Sequence, residues 1–185
     1  MSIKREWAMP NSNTFSIKPI KQFIDTQLKM NLIKSSDEKK WLDPFARNSK
    51  LKIERVNITT NDINPKTDAD MHMDALDFLK TFEDGSIDGV LFDPPYSLRQ
   101  VKECYDSEGK MFTQHMSRYF FSDLKNEIAR IVKVDGMVLS FGWSSNGIGS
   151  TRGFQIHNIL MVAHGGAHND TICVSEIKNH TQLKF

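Results

Sequence analysis

From residue 89 to residue 96 the chain runs Gly89-Val90-Leu91-Phe92-Asp93-Pro94-Pro95-Tyr96. Four small or apolar residues make a short strand, and at its end stand an acid, two prolines and an aromatic ring. The prolines fix φ and remove backbone donors, so the loop after the strand is rigid. It offers one hydrogen-bond acceptor, the Asp93 carboxylate, and one stacking face, the Tyr96 ring. A loop so equipped suits a flat heterocycle that carries an amino group. Taken alone, a Pro-Pro pair also reads as ordinary turn punctuation, so the weight falls on the surrounding chain.

Before this strand, Leu76 to Phe82 is spaced as a short helix, Val56 to Thr60 as a strand ending at Asn61-Asp62, and Trp41-Leu42-Asp43-Pro44-Phe45 as a strand running into a loop. Further back, Ile17, Ile20, Phe23, Ile24 and Leu28 recur near helical spacing across Ser16 to Leu32, with Pro19 acceptable in the first turn. Residues 1–15 are expected to form an irregular arm. Beyond Tyr96 come a polar loop, Ser97 to Ser117, and a helix with Phe121, Leu124, Ile128, Ile131 and Val132 on one stripe. A strand from Met137 to Phe141 follows, introduced by Asp135-Gly136. Two apolar runs, Ile156 to Ala163 and Thr171 to Ile177, flank His164-Gly165-Gly166-Ala167-His168-Asn169, a hairpin signal. Strands separated by helices, then a hairpin, predict an α/β fold: a mostly parallel, Rossmann-like sheet with a C-terminal antiparallel hairpin. Residues 1–185 are expected to form a single domain without a separate target-recognition domain.

The 185 residues suffice for one domain with a real core. Charged residues make up 25% and the net charge is only +1, so no basic surplus marks a tight stand-alone nucleic-acid binder. Two distant cysteines, Cys104 and Cys173, make no disulfide framework and point to a reducing compartment. No apolar stretch approaches the roughly 20 residues of a membrane span, and the polar start Met1-Ser2-Ile3-Lys4-Arg5-Glu6 holds no signal-peptide core. A soluble cytoplasmic protein is expected. His164 and His168 are separated by two glycines that favour a turn, and no acid or cysteine pattern completes a metal site, so none is assigned.

In sheets of this kind ligands bind at the carboxyl ends of the strands, and three acids fall there. Asp43 ends the first strand, Asp62 ends the second, and Asp74 with Ala75 follows an expected third. An acid roughly 20 positions after the first strand is where the hydroxyls of an adenosine ribose are usually gripped, which suits Asp62. A turn start for Asp62 and a helix cap for Asp74 are the plainer alternatives.

Together these segments resemble the S-adenosylmethionine-dependent amino-methyltransferases, which methylate the exocyclic amine of adenine (N6) or cytosine (N4) in nucleic acid. Asp93-Pro94-Pro95-Tyr96 is similar to the family's catalytic tetrapeptide, and Asp43-Pro44-Phe45 to its cofactor motif. Asp74-Ala75-Leu76 looks like the segment that touches the cofactor adenine, and Lys18-Pro19-Ile20 like the motif whose helix covers the methionine end. The resemblance runs from about Lys18 to Tyr96 and is weaker in the later strands. In one large class of these enzymes the Lys-Pro and Asp-Pro-Phe motifs come last; here they come first, so the chain looks like a circular permutation of that class, which adjacent termini allow.

The resemblance implies S-adenosylmethionine as cofactor and nucleic acid, DNA first, as partner. An aromatic exocyclic amine is a poor nucleophile because its lone pair is delocalised into the ring. Asp93 and the Pro94 carbonyl would accept its two hydrogens and localise that pair, while Tyr96 would stack on the base for roughly 1 to 3 kcal/mol. The base must be flipped out or unpaired. N6 of adenine in DNA is the expected target, because a leading Asp resembles the adenine enzymes more often and a leading Ser the cytosine ones. N4 of cytosine, RNA adenine and a cofactor-impaired accessory subunit stay open as alternatives, as does a homodimer or a separate specificity partner.

One departure stands out. After Phe45 the family continues into a glycine-rich turn that lets the backbone approach the methionine carboxylate, whereas this chain reads Ala46-Arg47-Asn48-Ser49. A Cβ is costly where φ is positive, so the loop is expected to take another path, with Arg47 offering its side-chain charge instead. Basic and aromatic residues for the nucleic acid are expected in Ser97 to Ser117 (Arg99, Lys102, Lys110) and in Trp143 to Arg152.

Overall fold

A computed structural model describes residues 1–32, 37–49, 51–166 and 168–179. The described residues form seven strands and four helices of an α/β/α sandwich. Strand β4, Ile87–Phe92, is buried along its whole length, as a strand inside a parallel sheet covered on both faces should be. Its side chains alternate: Val90 and Phe92 enter one core cluster, Leu91 the other. Strand β2, Lys39–Asp43, divides the same way, with Leu42 on the first face and Trp41 on the second. The two strands pair Trp41 with Gly89. A Cβ on Gly89 would stand 2.4 Å from the Trp41 indole, so glycine is what lets that ring lie flat across β4.

Helix α1, Lys18–Leu32, covers the second face through the stripe Ile20, Ile24, Leu28 and Leu32. Pro19 sits in its first turn, where its missing N–H leaves no bond unmade. The first face is covered by α2 (Ala75–Lys80), α3 (Leu98–Ser107) and α4 (Gln114–Ile131). On α4 the buried stripe runs through Phe120 rather than Phe121, then Leu124, Ile128 and Ile131, and Val132 already belongs to the next strand.

With β1 as Ser2–Trp7, β3 as Val56–Thr60, β5 as Val132–Gly142, β6 as Phe154–Ala163 and β7 as Thr171–Lys178, the sheet order is β1-β6-β7-β5-β4-β2-β3. Only β7 runs antiparallel, between β5 and β6. The expected hairpin is therefore β6–β7; its turn places Gly165 and Gly166 at φ 68° and 59°, while Ala167 lies outside the described residues. From β2 the chain proceeds outward to β3, and from β4 in the opposite direction to β5. The order thus reverses between β2 and β4, which opens a crevice at their carboxyl ends. No helix among the described residues is long and apolar enough to cross a membrane.

Three expectations are corrected. The arm of residues 1–15 is not irregular throughout, because β1 pairs in parallel with β6 from Ser2 opposite Asn158 to Trp7 opposite Ala163. Ser97 to Ser117 is not a loop throughout; Leu98–Ser107 is α3, capped by the Ser97 hydroxyl, which accepts from Gln100 N, and α4 begins at Gln114. The strand expected ahead of Asp74 shrinks to a single bridge, Asn61 with Met71. There the Asp70 carboxylate accepts from both the backbone and the hydroxyl of Thr60, so a side chain takes the place of a strand ladder.

Candidate active site

A cavity of about 960 Å³ opens at the carboxyl ends of β2, β3 and β4, at the reversal point of the sheet. Its wall is made by residues 10–15, 44–49, 62–64 and 93–96, with Tyr105 of α3, Trp143 after β5 and His164 after β6 among the flanking side chains.

Asn61 draws three of these segments together. Fully buried at the end of β3, its amide nitrogen donates to the carbonyls of Pro44 at 3.2 Å and Met73 at 3.1 Å, and its oxygen accepts from Met73 N at 2.9 Å. Both donors and one lone pair of the side chain are spent on backbone, so the Asp43-Pro44-Phe45 turn and the start of α2 have one fixed relation. Asp62, the next residue, accepts from Arg47 N and from Asn64 N, each at 2.9 Å.

The turn after Phe45 does not avoid the left-handed region. Arg47 occupies it at φ 50° without glycine, a conformation that costs about 1 to 2 kcal/mol for a residue with a Cβ. The Asp62 carboxylate on its N–H and the Ser12 carbonyl on its Nη1, at 2.9 Å each, hold it there. The expected detour is thus replaced by a strained turn tied down at two points.

Asp43 and Asp93 stand at the ends of adjacent strands, and their surroundings push them apart. Asp43 is buried, and its Oδ1 accepts from Phe45 N at 3.2 Å. Burial, the neighbouring Asp93 charge and Asp62 raise its pKa well above the usual carboxylate range. Burial raises Asp93 too, but Thr14, the Tyr96 hydroxyl and the Arg47 charge all favour its anion. Of the pair, Asp93 ionises first. Asp93 lines the cavity, while Asp43 is buried and does not.

The Tyr96 hydroxyl donates to Asp93 Oδ1 at 2.9 Å, and burial together with that carboxylate raises the phenol's pKa. The ring meets Trp143 edge-on, centroids 5.7 Å apart. Trp143 is 44% exposed at the rim. Its loop is anchored by Glu176, buried on β7, whose carboxylate accepts from Ile148 N at 2.6 Å and Gly149 N at 3.0 Å. Gly147 is required beside it, since φ is 51° and a Cβ would strike the Glu176 carboxylate.

Of the residues singled out in the sequence, Pro44, Phe45, Asp62, Ala75 and the whole of Asp93-Pro94-Pro95-Tyr96 reach the cavity wall. Lys18, Pro19, Asp43 and Asp74 do not. Lys18 and Pro19 open α1 just behind Ile17, which does line the cavity. Asp74 caps α2 through Leu76 N at 2.9 Å, and its other oxygen accepts a short hydrogen bond from Tyr105. Thr14, Asn61 and Tyr105 were invisible as site residues. Thr14 lies about 80 residues from Asp93 in the chain, and only the return of the arm along β6 brings it there. Among the described residues no group of three or more His, Cys, Asp or Glu is arranged to hold a metal ion. His164 is tied by its two ring nitrogens to the Ala8 carbonyl at 2.8 Å and the Thr171 hydroxyl at 2.9 Å.

No protein-family model and no curated protein matches the chain. Solved structures do. TrmN from Thermus thermophilus is 17% identical, with 82% of this chain and 47% of that chain covered and a TM-score of 0.51. A SAM-dependent methyltransferase from Agrobacterium tumefaciens is 12% identical, with 86% and 62% covered and a TM-score of 0.55. Another from Archaeoglobus fulgidus is 11% identical, with 84% and 93% covered and a TM-score of 0.53. The chain therefore spans about half the length of the Thermus protein. At these identities the likeness is one of fold: the sheet is the Rossmann-like sheet of these methyltransferases.

Proposed function

We propose that this chain transfers a methyl group from S-adenosylmethionine to the N6 amine of adenine in DNA. The observation that carries the reading is Asp93, a carboxylate at the end of β4 held by the Tyr96 hydroxyl and facing a large cavity at the sheet's reversal point, next to Pro94. The chain's residues fit the cofactor. The cavity wall bears four carboxylates, Asp62, Asp93, Glu103 and Glu108, which suit a ligand carrying a cationic centre. A volume of about 960 Å³ lies at the top of the range for small-molecule sites, with room for a cofactor and a base together. When bound, the cofactor supplies an electrophilic methyl on its sulfonium.

Asp93 and the Pro94 carbonyl would accept hydrogen bonds from the two hydrogens of the target amine and localise its lone pair toward that methyl, with S-adenosylhomocysteine as the leaving group and Asp93 as acceptor of the proton the amine gives up. Tyr96 keeps Asp93 oriented through its hydroxyl and offers its ring with Trp143 as an aromatic corner for the flipped base. Phe45 and Ala75 supply apolar wall, and Asp62 a carboxylate for ribose hydroxyls. Asp43, Asp74, Lys18 and Pro19 act one layer back, shaping the turns and helix starts that bear the contacts. The turn from Ala46 to Ser49 keeps a left-handed residue despite lacking glycine, which favours an enzyme over a cofactor-impaired accessory subunit. Calorimetry with S-adenosylmethionine and S-adenosylhomocysteine tests the cofactor half: one saturable site is expected, and no heat with either ligand, together with no thermal shift, would reject it.

A further inference from the structure

Against four carboxylates, the cavity wall carries one guanidinium among the described residues, Arg47. Neighbouring Asn48 and Ser49 bring no charge, and both nitrogens of His164 are already engaged. No lysine and no second arginine lines this wall among the described residues. Arg47 has no carboxylate within ion-pair distance among the described residues; its Nη1 donates to the Ser12 carbonyl at 2.9 Å. Five N–H donors sit on a guanidinium, so the fork retains donors for a planar anion. Its backbone is held at φ 50° by the Asp62 carboxylate on its N–H, an arrangement that tolerates left-handed strain in a residue other than glycine. Strain of this kind persists where surrounding contacts over-determine it, and it concentrates at ligand clamps.

We infer that Arg47 is the anchor for the carboxylate of the ligand's amino-acid end, a side-chain charge acting where a glycine turn would present backbone. The class of ligand is a zwitterion, one cationic centre facing the acids and one carboxylate on Arg47. The inference rests on the S-adenosylmethionine reading and adds to it which group grips which end. It also assigns Asp62 two tasks, since the carboxylate that fixes Arg47 N has acceptor capacity left for a ribose.

The test compares S-adenosylhomocysteine with 5′-methylthioadenosine, which keeps the nucleoside and thioether but lacks the amino-acid carboxylate, by calorimetry. Arg47→Ala is expected to weaken S-adenosylhomocysteine about tenfold to a hundredfold, the loss of one charge-assisted contact, and to leave methylthioadenosine within about twofold. Arg47→Lys restores part of the difference. Arg47→Gly, which relieves the positive φ and therefore folds at least as stably, shows the same selective loss as the alanine variant. Equal weakening of both ligands, or no weakening of either, overturns the assignment of Arg47 while leaving the cofactor reading intact. Failure of the wild-type protein to bind either ligand overturns both.

Discussion

Tyr96 and Asp93, three residues apart on one rigid loop, are joined by a 2.9 Å hydrogen bond from the phenol to Oδ1. Asp93 therefore depends on Tyr96 for part of the stabilisation of its anion, against a burial that pushes its pKa up. The proposed reaction needs that anion, so activity should fall as pH drops through the folded-state pKa of Asp93, which lies above the usual carboxylate value. Tyr96→Phe removes the donor, raises that pKa further and should move the acid limb of kcat/KM to higher pH. A limb unmoved in the variant would separate Asp93 from the rate-controlling ionisation.

Asp62 holds two backbone N–H groups, those of Arg47 and Asn64. Asp62→Ala removes the acceptor of one exposed and one half-buried bond, each worth about 0.5 to 1.5 kcal/mol, and releases the strained turn. Affinity for S-adenosylmethionine should drop by about tenfold or more, with lower stability to urea in the same variant. Unchanged calorimetric affinity in a folded protein would place the cofactor elsewhere.

Gly89 faces Trp41 across β2 and β4 with no room for a methyl group. Gly89→Ala must displace a fully buried indole, and overpacking of this kind costs typically about 1 to 3 kcal/mol. Urea titration should show a lower midpoint with an unchanged m-value.

The strand that delivers Asp93, the paired strand that delivers Asp43 and the terminal hairpin were legible because apolar runs lead into them or end them at an acid, and their turns carry glycine or proline. Strand β1 was not: Ser2-Ile3-Lys4-Arg5-Glu6-Trp7 is exposed at every position, an edge strand outside the helical layers, and leaves no alternating pattern to read. The loop expected at Ser97 to Ser117 misled for a related reason. On α3 the buried side chains are few, Val101 and Tyr105, while Arg99–Glu103 and Lys102–Asp106 pair across helical turns. Polar composition looked like a loop and was the solvent face of a helix. Of the candidate site, the residues on the Asp93 loop could be identified because one peptide segment holds them all. The side chains that fix the rest of the site, Thr14 on Asp93, Asn61 on the Pro44 and Met73 backbone and Tyr105 on Asp74, come from three other segments, and their roles exist only in the packed fold.

Those intrahelical ion pairs bear on how nucleic acid would be held. With Arg99 and Lys102 already facing Glu103 and Asp106, and net charge only +1, few cations are available for phosphates. Methylation should therefore fall with added salt along a shallow slope. Single-stranded or mismatched adenine, which costs least to expose, should react at least as well as paired adenine. Activity confined to one long duplex motif would point to a recognition surface elsewhere.

The reaction product tests the N6-adenine reading most directly. Incubation of the purified protein with S-adenosylmethionine and single-stranded adenine-containing DNA, followed by nucleoside mass spectrometry, should yield N6-methyladenine with the wild-type chain. Asp93→Ala should yield none while retaining most cofactor affinity, since the lost contact matters mainly at the transition state. Methyl transfer in Asp93→Ala within a few fold of wild type, or no methylated adenine from a wild-type protein that binds the cofactor, would contradict it.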